Sequence, residues 1–124
     1  MRDPLLGGLF ENLVVMEALK ARVNAGKSPS LYYLRDKAGV EVDLVLESAR
    51  RLHLMEIKSA QTPTPAMARG LEKFKALAPD VDDGYVVYGG EAWPLAGGAY
   101  VNFRETGSLI EKICDNPSPV YNLQ

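Results

Sequence analysis

Asp43 and Glu56, with twelve residues between them, and Lys58 two beyond Glu56, are the side chains here whose types and spacing suit chemistry. If the segments carrying the two acids pair as a hairpin through Ala49-Arg50, Glu47 stands opposite Leu52, Val45 opposite Leu54, and Asp43 opposite Glu56. Opposite residues hold their Cβ atoms about 4.5 to 5.5 Å apart, and like charges about 4 Å apart repel by about 4 kcal/mol at an effective dielectric of about 20. A fold keeps such a pair where something positive sits between. Lys58 leaves its strand on the same face as Glu56, and Glu41, two before Asp43, would face Lys58 across the ladder. Asp43, Glu56 and the Ile57 carbonyl offer the hard oxygens that Mg²⁺ or Mn²⁺ prefers. A lysine beside a metal-bound water favours its hydroxide form, which phosphodiester hydrolysis requires.

Glu11 joins this group from a helix. Its three- and four-residue neighbours are Gly7, Gly8, Val14, Val15 and Ala18, so its carboxylate leaves a largely apolar stripe and needs a partner. A metal is one candidate; an ion pair with Arg35 or Lys58 is the other. Taken singly, Asp43 also reads as a solvated strand residue, and Glu56 with Lys58 as a surface pair contributing about 0 to 1 kcal/mol. Only the combination is specific.

The elements that must position these residues follow from periodicity. Phe10, Leu13, Val14, Ala18 and Ala21 recur at helical spacing after Gly7 and Gly8, giving about four turns that end at Asn24-Ala25-Gly26, where a left-handed cap is easy. Leu31 to Asp36 and Val40 to Glu47 read as antiparallel strands joined at Ala38-Gly39. In the second, Val42, Leu44 and Leu46 are expected on one face, with Glu41, Asp43, Val45 and Glu47 on the other. A third strand spans Leu52 to Lys58, with His53 on the face opposite Glu56.

A capping hydroxyl in Thr62-Pro63-Thr64-Pro65 and proline at the first helical position open a second helix through Met67, Leu71, Phe74 and Ala78, ending near Pro79. Asp82-Asp83-Gly84 is expected to turn into a strand at Tyr85 to Tyr88, and Gly89-Gly90 through Gly97-Gly98, with Trp93, to form a long hairpin loop. Ala99 to Asn102 and Glu105 to Ile113 follow as a strand and a short helix. The order, helix, three-strand meander, helix, strand, with a strand and short helix appended, implies an α+β fold with a mixed sheet. Residues 1–115 are expected to form a single domain, with 116–124 an irregular tail.

Tyr32, Tyr33, Tyr85 and Tyr88 read as core residues with wet hydroxyls rather than as base-stacking groups, and Arg69, Lys73 and Lys75 as a solvated helix face. Composition narrows the chemistry further. The chain of 124 residues is 47% apolar and 24% charged, enough for one ordinary core. Cys114 is the only cysteine and His53 the only histidine, which starves a zinc site of ligands. A net charge of −2 and a pI near 5.4 argue against a large electrostatic footprint for nucleic acid. No apolar run suits a membrane span and no secretory signal opens the chain, so a cytoplasmic location is expected.

Glu11 on a leading helix, Asp43 on a strand and Glu56-Ile57-Lys58 on the next resemble the PD-(D/E)XK motif of restriction-endonuclease-like proteins. More narrowly, Gly8-Leu9-Phe10-Glu11-Asn12, Tyr32-Tyr33-Leu34-Arg35-Asp36, Gly39-Val40-Glu41-Val42-Asp43 and Glu56-Ile57-Lys58 are similar to the C-terminal domain of unknown function attached to prokaryotic AAA-type ATPases. This likeness spans Gly8 to about Phe74. It implies an αβββαβ restriction-endonuclease-like core and a catalytic set of Asp43, Glu56 and Lys58, with Glu11 as the helix acid and Gln61 as a polar residue just past the motif.

It also implies an ATPase module elsewhere in the full-length chain, although no GxxxxGK[ST] loop, hence no ATP site, is present in this fragment, whose start looks cut from something longer. Two functions follow. One is a Mg²⁺- or Mn²⁺-dependent phosphodiesterase acting on DNA, or on RNA, in which Glu11 extends the metal shell and Gln61 positions substrate. The other is a catalytically inactive structural or partner-binding module of the ATPase.

Overall fold

The computed structural model describes residues 4–27, 31–35, 41–48, 50–78 and 81–115. Helix α1 (Pro4–Asn24) is followed by strands β1 (Leu31–Arg35), β2 (Glu41–Ser48) and β3 (Arg51–Ile57). A 3₁₀ turn (Pro65–Ala68) leads into α2 (Arg69–Leu77), and then come β4 (Val81–Tyr88), β5 (Trp93–Leu95), β6 (Gly98–Asn102), a second 3₁₀ turn (Phe103–Glu105) and α3 (Thr106–Asp115). The six strands form one sheet in the order β1-β2-β3-β4-β6-β5. β1, β2 and β3 are antiparallel neighbours, β3, β4 and β6 run parallel, and β5 turns back antiparallel at the far edge. The fold is α+β with a mixed sheet, as the order of sequence patterns implies.

Both faces of the sheet are covered. On one, Leu71 of α2 packs with Val45, Leu54, Val86 and Tyr100. On the other, Ala18 and Ala21 of α1 and Leu109 and Ile110 of α3 pack on Leu44, Leu46 and Met55. No helix among the described residues is long and apolar enough to cross a membrane.

Several boundaries differ from expectation for local reasons. α1 runs through Gly7-Gly8 back to Pro4, since proline in a first turn forfeits no intrahelical bond. Its end has the expected left-handed cap: Gly26 has φ 73°, its N–H donates to the Val23 carbonyl, and that of Lys27 to Arg22. The 3₁₀ turn before α2 has Pro65 at its start but no side-chain cap from Thr64. The Thr64 carbonyl instead accepts the Tyr100 hydroxyl at 2.9 Å. α2 ends at Leu77.

β4 absorbs the expected turn at Asp83-Gly84, because Asp83 is tied by its carboxylate to buried His53 (2.7 Å) and to the Tyr85 hydroxyl. The Gly-rich stretch is not all loop: Trp93–Leu95 pairs with β6. Tyr32 and Tyr33 lie exposed on edge strand β1 rather than in the core, whereas Tyr88 is buried with its hydroxyl on the Glu91 carbonyl. The tail 116–124, the β1–β2 turn at Ala38-Gly39, Ala49 and Pro79 lie outside the described residues.

Gly84 and Gly98 are partners in the β4–β6 ladder, and a Cβ built on Gly98 would fall onto the Gly84 carbonyl oxygen, a backbone atom that cannot move aside. Gly98→Ala should therefore lower the unfolding free energy by about 3 kcal/mol, while Gly107→Ala on α3, where a Cβ meets nothing within 4 Å, should raise it by about 0.5 kcal/mol. Urea midpoints of the two variants check this; equal midpoints would contradict it.

Candidate functional site

The hairpin register is the one the spacing requires: Val45 faces Leu54, Glu47 faces Leu52 and Ser48 faces Arg51, with Arg50 at φ 65° in the turn. Backbone pairing runs as far as Leu44 and Met55. One step further, side chains replace the ladder. The Asp43 N–H donates to Glu56 Oε1 at 3.1 Å, and the Ile57 N–H donates to Asp43 Oδ2 at 2.8 Å.

The cause is a bulge. Tyr32 faces Val45 while Leu34 faces Val42, so Tyr33 alone opposes Asp43 and Leu44. The extra residue inverts the alternation of β2, and Val42 lies with Val45 and Leu54 beneath α2, not with Leu44 and Leu46 as simple alternation requires. Glu41 is turned with it. Rather than facing Lys58, it pairs with Arg35 at 2.7 Å, both residues exposed.

Glu56 is buried, and loss of solvent raises its carboxyl from the ordinary 4.5 to about 7. The Asp43 charge and a carboxyl–carboxylate hydrogen bond with Asp43 push the same way; Lys58 and the Asp43 N–H push back. Lys58 Nζ lies 3.8 Å from Glu56 Oε2. Glu11, half-buried on α1, is raised first by desolvation and then by Asp43, and lowered by Lys58, so Asp43 and Lys58 act on both glutamates. Of its two candidate ion-pair partners, Arg35 is engaged by Glu41 and Lys58 is the one that acts on it.

Glu11, Asp43, Glu56 and Lys58 thus converge. Among the described residues no three His, Cys, Asp or Glu side chains gather closely enough to hold a metal ion, so Glu11 stands beside the Asp43–Glu56 pair rather than in one ligand set with it. Ile57 touches the site through its N–H, and its side chain packs on Val14 and Val87. Gln61 is exposed in a crevice of about 470 Å³ that also involves Ser59, Gly89 and Arg104. His53 is buried and bonded to Asp83 through β3–β4 pairing, apart from the acids. Lys75 is tied to the Gly97 carbonyl at 2.7 Å, while Arg69 and Lys73 form a solvated face.

Gly70 is the residue that sequence reasoning missed. A Cβ there would come 2.5 Å from the Glu41 carbonyl oxygen and 3.3 Å from Glu56 Oε2, so only glycine lets the first turn of α2 lie against the acid pair. Its signal was an isolated glycine in a helical pattern, which marks a close approach.

The family described as Domain of unknown function (DUF4143) matches residues 6–102, an interval that holds all of these site residues. No curated protein matches the chain.

Because the Glu56 carboxyl is raised in the folded state, its contribution is present in full below about pH 4.5 and is lost as pH rises through about 7. In chelator, wild type should lose on the order of 2 kcal/mol more than Glu56→Gln across that window, since the glutamine carbonyl still accepts the Asp43 amide. Urea unfolding at stepped pH measures the difference; parallel curves would exclude Glu56 as the group.

Proposed function

Since the chain belongs to the DUF4143 family, whose function is unknown, its activity has to come from its own residues, and we propose a nuclease-like domain that hydrolyses phosphodiesters with a divalent cation. The observation that carries this reading is the opening of the β2–β3 ladder at Asp43 and Glu56, with Lys58 beside it. Two hard carboxylates pressed together, one raised to about 7, form a site whose charge a cation would relieve, so the residues fit Mg²⁺ or Mn²⁺. Asp43 and Glu56 would hold it, with Glu11 next to them. A bound cation supplies Lewis-acid polarisation of the phosphate and a more acidic water.

The chain's own groups do the rest. Lys58 sets a positive charge where the attacking water loses its proton and where negative charge grows on the phosphate. Asp43 and Glu56 are held by amides of the facing strands, which fixes their orientation before substrate arrives. Gln61 positions the strand leaving the site. The likeness of Gly8–Asn12, Gly39–Asp43 and Glu56–Lys58 to a domain of AAA-type ATPases supports a restriction-endonuclease-like core carried by such a protein in the cytoplasm, with DNA as substrate.

A second reading keeps the fold and drops the chemistry. The same amide bonds also close the ladder without any cation, and a net charge of −2 recommends a partner-binding module.

Nicking of supercoiled DNA in Mn²⁺ separates the two. Wild type should nick, and Asp43→Ala and Lys58→Ala should each lose about 100-fold or more. Without DNA, Mn²⁺ at a hundredfold excess over its Kd should stabilise wild type by about 2.7 kcal/mol and leave Asp43→Ala unchanged. Nicking that survives in Asp43→Ala, or no stabilisation by Mn²⁺, would leave only the second reading.

A further inference from the structure

We propose that the crevice at the same end of the sheet as the acid pair is a track for single-stranded nucleic acid, with Trp93 as a base-stacking platform and Arg104 as a phosphate contact. The inference rests on the hydrolytic reading for its direction, since a phosphodiester held at Asp43, Glu56 and Lys58 must continue somewhere. β3, β4 and β6 run parallel, so their C-terminal ends open on one edge of the sheet, the edge where mixed sheets bind ligands.

Two hollows lie there. One, of about 470 Å³, is lined by Phe10, Ser59, Gln61, Phe103 and Arg104, among others. The other, of about 430 Å³, is lined by Gln61, Pro63, Glu91 and Trp93. Gln61 and Gly89 belong to both, which makes the path continuous. Ser59 follows Lys58 directly, so the path begins at the next residue along the chain.

The side chains along it divide by chemistry. Arg104 is exposed, its guanidinium 4.7 Å from the Phe103 ring centroid, and Phe103 stands edge-on to Phe10 at 5.1 Å, next to Glu11 on α1. A cation is thereby placed in the crevice, at the sheet end from which β3 and β6 emerge, where a phosphate further along the strand would lie. At the far end Trp93 is 60% exposed, yet it sits on a paired strand opposite Tyr100, so its position is set by the sheet. An exposed indole on a rigid element stacks an unpaired base of any identity. Gln61 and Glu91 beside it offer acceptors to the amino groups of bases, which reconciles a carboxylate with a polyanionic ligand. A duplex keeps its faces stacked internally and offers nothing to Trp93, so the ligand is a single strand.

Trp93 is the only tryptophan, so any change in indole emission reports on it alone. The full chain is titrated with an oligodeoxycytidylate of about ten nucleotides, in EDTA and in parallel with Ca²⁺. Saturable quenching is expected in at least one condition, with a salt slope reduced by about 0.7 in Arg104→Ala. By anisotropy of a labelled oligonucleotide, Trp93→Ala should bind about tenfold more weakly and Trp93→Phe should recover most of the loss, at unchanged thermal midpoints. No quenching in either condition, binding unaffected by Trp93→Ala, or equal quenching by duplex would overturn the proposal. Quenching without any nicking in Mn²⁺ would sink the hydrolytic reading and leave this one standing, whereas nicking without quenching would do the reverse.

Discussion

Two amide hydrogen bonds govern the rest of this molecule: Asp43 N–H to the Glu56 carboxylate, and Ile57 N–H to that of Asp43. Where β2 and β3 would otherwise continue their ladder, side-chain oxygens take the place of carbonyls. A buried amide left without a partner costs about 1 to 3 kcal/mol, so neither acid can be deleted without orphaning a donor in the sheet. The acids are therefore structural before they are anything else. Their mutual approach follows from the strands, and the raised Glu56 carboxyl follows from that approach and from burial. Gly70 belongs to the same arrangement, because a side chain there would press α2 off the Glu41 carbonyl and the Glu56 carboxylate.

The sheet topology then determines what else can reach the site. β3, α2 and β4 form a parallel crossover, and β6 extends it, so the segments after β3, β4 and β6 emerge at one edge. The glycines after β4 let those segments close up: the Gly89 N–H donates to the Ala60 carbonyl at 2.8 Å, and a Cβ on Gly90 would strike the Gln61 carbonyl. Below this edge the two apolar layers, centred on Leu54 and Val86 against α2 and on Met55 and Leu46 against α1 and α3, keep the strands in place. Charge repulsion at the edge is tolerated because the stabilising burial lies elsewhere.

Much of this was legible from spacing. Helix, meander, helix and strand were visible as a change of period from 3.6 to 2 and back, and the hairpin register followed from Ala49-Arg50 as the turn. What escaped was the bulge, and the reason is specific. Val42, Leu44 and Leu46 are all apolar, and with apolar cores on both faces of the sheet an inverted Val42 is buried as well as an uninverted one. Alternation cannot report a break when either face would accept the residue. The strand at Trp93–Leu95 escaped for another reason: three residues containing proline carry no β pattern, and only β6 as a neighbour makes them a strand. Asp83 reads as a turn residue in sequence because its partner, His53, is thirty residues away.

Overall charge deserves less weight than it first receives. A chain at −2 carries no net attraction for a polyanion, yet the potential felt by a ligand at one sheet edge depends on the few groups within a Debye length, about 8 to 10 Å at ordinary salt. Arg35 is paired with Glu41, and Lys75 is bonded to the Gly97 carbonyl. Lys58, by contrast, lies beside Glu56, and Arg104 lines the crevice, on the segments that follow β3 and β6 at the same edge. On a chain of net negative charge, affinity for a polyanion has to come mainly from contacts that salt does not screen, stacking above all. An acidic pI and a nucleic-acid ligand are therefore compatible here on condition that the ligand exposes its bases, which is the same condition that the exposed indole of Trp93 imposes.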